Sequence, residues 1–206
     1  MILRKIIFTI ICLFLIFDPL FSTKIEIRGK QMFVNDKPFI IRGFCYSPIP
    51  VGFTHTYEWE FDEPSYNTDF PLMKAMGANT VRTYDPLKYK KVLDEAYKNG
   101  LYVIMQVRID WDEDYGTNIA LKNEILYGSS SRRGLQEIVT TLRDHPALLM
   151  WCLGHEVNFN VNLDAGGTQV WDGTTITRLQ GWYTFLNEMA GKIHEWEGPY
   201  WHPVTS

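Results

Sequence analysis

His145-Pro146-Ala147-Leu148-Leu149-Met150-Trp151-Cys152-Leu153-Gly154-His155-Glu156-Val157-Asn158 is the stretch whose reading decides the fold. Proline ends any helix that reaches it, because its ring cannot continue the hydrogen-bond ladder. An unbroken apolar run from Leu148 to Leu153 follows. A strand with no polar face is buried on both sides, as in a parallel sheet covered by helices. Glu156 then falls just past the carboxyl end of that strand, where α/β barrels gather their reactive groups. A glutamate that merely follows a strand into solvent gives the same pattern, so this stretch alone leaves chemistry and surface equally open.

Upstream, strand and helix patterns alternate. Lys24–Arg28 alternates, and Met32-Phe33-Val34 and Phe39-Ile40-Ile41 flank the turn residues Asn35-Asp36-Lys37-Pro38, a hairpin signature. The second arm is expected to continue through Arg42-Gly43-Phe44-Cys45-Tyr46 as the first strand of the main sheet. Phe70, Leu72, Met73 and Met76 mark a short helix, and Asn79–Tyr84 a strand. Asp85-Pro86 predicts a helix start, a cap followed by proline in the first turn. Tyr89, Val92, Leu93, Ala96 and Tyr97 keep helical spacing up to Gly100. Leu101–Val107 is a buried-type strand, followed by a polar loop. Leu135, Ile138, Val139 and Leu142 form one helical face. Leu179, Trp182, Tyr183, Leu186, Met189 and Ile193 stripe another helix, and a further strand begins at His202–Thr205. This order predicts an α/β fold with a parallel sheet and helices outside.

Composition narrows the function. The chain has 206 residues, 46% of them hydrophobic, enough for a packed core in one domain or a little more. Its net charge of −4 is spread without a basic block, which argues against nucleic acid as a partner. Seven Trp, eleven Tyr and twelve Phe tilt the reading mildly towards carbohydrate, whose faces stack on exposed rings. No glycine-rich phosphate fingerprint follows a strand; Gly166-Gly167 lies in a long loop without a helix start. No Cys/His zinc spacing or EF-type calcium loop occurs either, so neither metal nor cofactor is expected.

Arg4 and Lys5 precede an apolar run, Ile6 to Phe17, closed by Asp18-Pro19. That run is shorter than the roughly 20 residues needed to cross a bilayer and fits a secretory signal peptide. Leu20-Phe21-Ser22-Thr23 is a poor cleavage site, and an uncleaved leader would tether the protein to a membrane. The expected location is therefore secreted, periplasmic or at the cell surface, with residues 1–23 as leader or anchor. Export would permit a Cys45–Cys152 disulfide, but buried thiols are the expectation. Oligomeric state is left open.

The run Phe33–Gly43 resembles the entry to the barrel of clan A glycoside hydrolases, most closely family 2 and related β-glycosidases and glucanosyltransferases. Met76–Tyr84 is similar to their second strand, Asn99–Ile104 to their third and His145–Asn158 to their fourth. The resemblance covers roughly residues 31–160. It implies that residues 24–206 are the N-terminal part, about five strands, of a (β/α)8 barrel preceded by a short hairpin.

The same resemblance implies roles. Glu156 matches the general acid/base, which protonates a poor alkoxide leaving group and later activates water or an acceptor sugar. Arg82 matches an arginine that holds the nucleophile ionised, although a strand-end arginine pairs equally well with any nearby acid. Arg42 matches the family's strand-one arginine and is as readily structural. His155 is a departure, because the family usually carries Asn there, reaching the substrate's 2-hydroxyl. An imidazole can also donate a hydrogen bond; a histidine packed against a loop is the plainer alternative. Trp111 lies in the acidic, aromatic loop Asp110–Gly116, which suits either sugar contacts or plain solvation. Arg82, His155, Asn158 and Trp111 form the expected substrate-binding set, with Phe159 and Trp171 as further subsite candidates.

The resemblance also implies a second glutamate, the nucleophile, at the end of strand seven. No residue in these 206 matches it. The expectation is an N-terminal portion of a longer retaining glycoside hydrolase, inactive by itself, with an oligo- or polysaccharide as substrate. A transglycosylase, or a non-catalytic carbohydrate-binding or scaffold protein, is the alternative.

Overall fold

The computed structural model describes residues 23–49, 52, 63–109, 114–161 and 168–206. The expected leader, the loop segment containing Trp111 and the pair Gly166-Gly167 lie outside the described residues. Two sheets organise the chain. β1 (Ile25–Arg28), β2 (Gln31–Val34) and β3 (Lys37–Phe39) form an antiparallel sheet in that order. β4 (Gly43–Tyr46), β5 (Thr80–Thr83), β6 (Tyr102–Val107), β7 (Leu148–Leu153) and β8 (Val204–Thr205) form a second, wholly parallel sheet in sequential order. The helices are α1 (Glu63–Ala75), α2 (Lys90–Lys98), α3 (Ile119–Tyr127), α4 (Leu135–Leu142), α5 (Val157–Asn160) and α6 (Gly173–Glu197). Strand, crossover and next neighbouring strand repeat four times, which is the first part of a (β/α)8 barrel.

The turn between β2 and β3 has Asn35 at φ 50° and Asp36 at φ 63°, both left-handed, as a two-residue hairpin of matching twist requires. The second arm stops at Phe39 and does not run on into β4. Asn79 holds the break: its Nδ2 donates to the Ile40 carbonyl at 2.8 Å, and its Oδ1 accepts from the Arg42 amide at 2.9 Å. Gly43 then crosses so close to β5 that a Cβ there would sit 2.2 Å from the Thr80 carbonyl oxygen.

One irregularity joins the two sheets. Val103 pairs with Leu148 and Ile104 with Met150, so Leu149 is an extra residue in β7. The bulge shifts the alternation, so Leu148 and Trp151, three positions apart, share one face. Leu148, Trp151 and Leu153 enter the main helix-backed core, whereas Leu149 packs with Ile25 and Val34 of the hairpin sheet, flanked by Met32, Phe39, Tyr102 and Ile104. The hairpin sheet therefore packs on the inner face at the strands' amino ends.

Several helical details differ from the sequence expectation. α1 buries Tyr66 and Phe70, with Met73 against the core, while Leu72 and Met76 face outward. α2 starts at Lys90 rather than at Asp85-Pro86, after an extended Tyr89. The delay has a cause: Leu87 drops into the core, with its amide 3.3 Å from Met105 Sδ, before the helix can begin. The polar loop after β6 contains α3, which buries only Ile125 and Leu126. Leu135, Ile138, Val139 and Leu142 of α4 are all buried and α4 packs against α6, as the periodicity predicts.

The far end of α6 is tied to the sheet by a buried carboxylate. Glu197 Oε1 accepts from Trp151 Nε1 at 2.8 Å and from His202 Nδ1 at 2.5 Å, and Oε2 accepts the His202 amide at 3.1 Å. This hub fixes where β8 joins β7. β4 and β8 are the edge strands; Phe44 beside one edge, and Ile176 and Tyr183 on α6 beside the other, are exposed apolar groups. Among the described residues no helix is long and apolar enough to cross a membrane.

Candidate active site

The site grows from the carboxyl ends of β5, β6 and β7. Register places Cys45 beside Arg82 and Gln106 beside Cys152. Since alternate residues share a face, the bulky Val81, Val103 and Met105 fill the helix side. Arg82 and Gln106 are left on the inner side.

β7 ends in a tight exit. Gly154 has φ 76° and donates its amide to the Val107 carbonyl at 2.9 Å; a Cβ there would stand 2.6 Å from Val157 Cγ2. Only glycine fits both the dihedral and the space. Glu156, two residues on, is itself left-handed, with φ 54° and ψ 26°. Its carbonyl accepts from the Phe159 amide at 3.0 Å and from Asn160 N and Nδ2, both at 2.8 Å. A non-glycine residue held in that region stores roughly 1–3 kcal/mol of strain, a feature that collects at functional sites. The turn thus projects the Glu156 side chain at the mouth, exposed.

Around it lies a small polar and aromatic cluster. Arg82 Nη2 donates to Gln106 Oε1 at 2.6 Å and lies 3.3 Å from His155 Nδ1. The guanidinium carbon stands 5.7 Å from the centre of the Tyr84 ring, and the His155 ring meets Tyr84 edge-on with centroids 5.3 Å apart. Hydrogen-bonding interaction with the Cys45 side chain is the chief reason the Tyr84 phenol is held above its ordinary range. Burial and the Glu156 charge add to the shift, and Arg82 opposes it. Burial likewise pushes the Cys152 thiol up, against the nearby Arg82. Cys45 and Cys152 are both free thiols, Cys45 exposed and Cys152 buried. Arg82 Nε is buried and has no hydrogen-bond partner among the described residues.

Arg82, His155 and Glu156 therefore stand at one mouth. Asn158 stands exposed on α5, one helical position before the exposed Phe159; Trp171, exposed, precedes α6. Trp111 lies outside the described residues. Arg42 is at the amino end of β4, bonded to Asn79, and so belongs to the opposite end of the sheet. Glu124, Glu188 and Glu195 all lie on helices, not at strand ends. Sequence reading missed Gln106 and Tyr84. Gln106 had a signal, as the one polar residue inside the apolar run Leu101–Val107.

A parallel barrel sheet with an acid projected from the carboxyl end of a strand, beside a half-buried arginine, defines a class of enzyme-type barrels. The chain belongs to glycosyl hydrolases family 2, TIM barrel domain, which it matches over residues 25–172. It is 29% identical to a β-galactosidase of Pectobacterium atrosepticum over 69% of this chain and 13% of that protein. It is 27% identical to a β-glucuronidase of Pongo abelii over 67% of this chain and 20% of that one. Among solved structures, a Bacteroides uniformis β-glucuronidase superposes with a TM-score of 0.63 at 19% identity, covering 88% of this chain and 20% of that chain. The chain thus spans between an eighth and a fifth of these relatives' lengths.

Proposed function

We propose that this chain contributes the acid/base side of a retaining β-glycoside hydrolase site, with Glu156 as the proton donor and Arg82, His155, Asn158 and Trp111 around the sugar. The single observation that carries this reading is the strained backbone at Glu156, which aims a carboxyl into a mouth already holding Arg82 and Tyr84. Cleavage requires a proton on the departing oxygen, then the same group as base towards water or an acceptor sugar. The buried Arg82 Nε without an acceptor supports a second carboxylate as its partner, because such a donor left unpaired costs about 1–3 kcal/mol. That carboxylate would be the nucleophile, and it has no match in these 206 residues. β-Galactosides and β-glucuronides are the first substrates to try, since relatives carry those names.

The basic-then-apolar start, Arg4 to Phe17, supports an exported protein, secreted or held at the cell surface by residues 1–23. Residues 24–206 are then one barrel unit behind a leader.

The test uses the full-length gene product on paired substrates. Glu156→Gln should cut turnover of alkyl β-glycosides by about 100-fold or more, the range for losing a general acid. Glycosides of acidic phenols, which need little proton donation, should lose far less. Equal rates on both substrates, wild type against variant, would remove Glu156 from the mechanism.

A further inference from the structure

We infer that Gln106 and Arg82 form a relay that locks the neutral His155 ring with its proton on Nε2, making His155 a fixed hydrogen-bond donor to a ligand hydroxyl beside Glu156. The proposal rests on the glycosidase reading for the identity of the ligand, but not for the tautomer. A guanidinium N–H only donates. Arg82 Nη2 has two such hydrogens: one is committed to Gln106 Oε1 at 2.6 Å, and the other faces His155 Nδ1 at 3.3 Å. Nδ1 must therefore be the lone-pair nitrogen, which leaves the proton of the neutral ring on Nε2.

Orientation is fixed at each link. Gln106 is buried inside β6 and cannot wander, so its carbonyl sets the plane of the guanidinium. Tyr84 stands edge-on to the imidazole at 5.3 Å and blocks its rotation on one side. The left-handed turn at Glu156 ties the backbone that carries both side chains. His155 itself is exposed at the mouth. Gln106 and Arg82 act here as positioning residues; His155 is the group that would touch the ligand.

The tautomer is read directly from side-chain nitrogen shifts in two-bond proton–nitrogen spectra of the nitrogen-15-labelled full-length protein, recorded at alkaline pH. His155 is one of five histidines and is assigned by its loss in His155→Gln. The expected result is a pyridine-like Nδ1 and a protonated Nε2. Arg82→Met should return the ring towards a mixture, and so should Gln106→Leu, which keeps the arginine but frees its plane. If Arg82→Met does not fold, Gln106→Leu decides. A wild-type ring protonated on Nδ1 would overturn the relay, as would an Nε2–H ring unchanged in the folded variants. For the donor role, titration with methyl β-galactoside and methyl β-glucuronide should move the His155 Nε2–H resonance. No movement with either overturns that role. In hydrolysis assays His155→Phe should lose about tenfold or more in kcat/KM, the scale of one lost hydrogen bond, while His155→Gln, which keeps an N–H, stays within a few-fold. A wild-type protein that hydrolyses no glycoside, with the Nε2–H tautomer and the sugar-induced shift intact, would sink the hydrolase reading and leave this inference standing.

Discussion

Glu197→Ala should be among the most damaging single changes in the described chain, although it lies far from the mouth. The carboxylate is fully buried and accepts from Trp151 Nε1, His202 Nδ1 and the His202 amide. Truncation leaves the indole N–H and the backbone N–H without acceptors inside the protein, at about 1–3 kcal/mol each. Together with the void left behind, the loss should be about 3–5 kcal/mol, within the range for a single change that breaks a buried hydrogen-bond network. That is a large part of a typical net stability of roughly 5–15 kcal/mol. For a chain of this size each kcal/mol moves Tm by about 2–4 °C, so the midpoint should fall by roughly 6–20 °C. Glu197→Gln should fall between wild type and alanine. Its carbonyl can still serve Trp151 and His202 Nδ1, but its amide would meet the His202 N–H donor against donor. Urea unfolding followed by tryptophan fluorescence measures both, and a Glu197→Ala/Trp151→Phe double-mutant cycle isolates the indole bond. A loss below about 1 kcal/mol for Glu197→Ala would refute the view that this carboxylate joins α6, β7 and β8.

Three further outcomes follow from the geometry. Gly154→Ala should cost about 2–4 kcal/mol, a left-handed penalty of about 1–2 plus the push against Val157; thermal melts check the loss, and a neutral result would mean the turn relaxes freely. Leu149→Ala should cost about 2–5 kcal/mol, and hydrogen exchange should speed up selectively in residues 25–39, because Leu149 is the β7 residue packed on the hairpin sheet; uniform acceleration throughout would contradict that coupling. The Tyr84 phenol, isolated by ultraviolet difference titration against Tyr84→Phe, should ionise above the ordinary value of about 10, and Cys45→Ala should bring it down. A raised phenol favours the fold in its protonated form, so its contribution to stability is complete below the unfolded value and is lost as pH rises through the folded one. A Tyr84 that titrates at or below the ordinary value would contradict the Cys45 contact.

Legibility followed the range of the interactions involved. The bend at Asn35-Asp36 was readable because both residues tolerate left-handed backbone and sit between apolar runs. The strand Leu148–Leu153 was readable because an all-apolar segment of that length has to be buried on both faces. Asp85-Pro86 misled because the cap-and-proline pattern is local, whereas the burial of Leu87 beneath β6 is not. α3 gave no stripe, since its only buried residues, Ile125 and Leu126, are adjacent rather than a turn apart. Tyr183, Leu72 and Met76 fit helical spacing yet face outward, because spacing defines a face without saying what stands opposite it.

By itself the sequence determined the alternation of strand and helix, the parallel sheet, and the delivery of Glu156 at the end of its strand. Those depend on period, turn residues and apolar runs, which act within a few residues of one another. Only the tertiary structure decided that β7 carries a bulge at Leu149, that Glu156 sits in left-handed backbone, and that Gln106 reaches Arg82 and Arg82 reaches His155. Those contacts join residues from 24 to 73 positions apart. Strand register brings them together, and register is set by the packing of the whole sheet rather than by any segment alone.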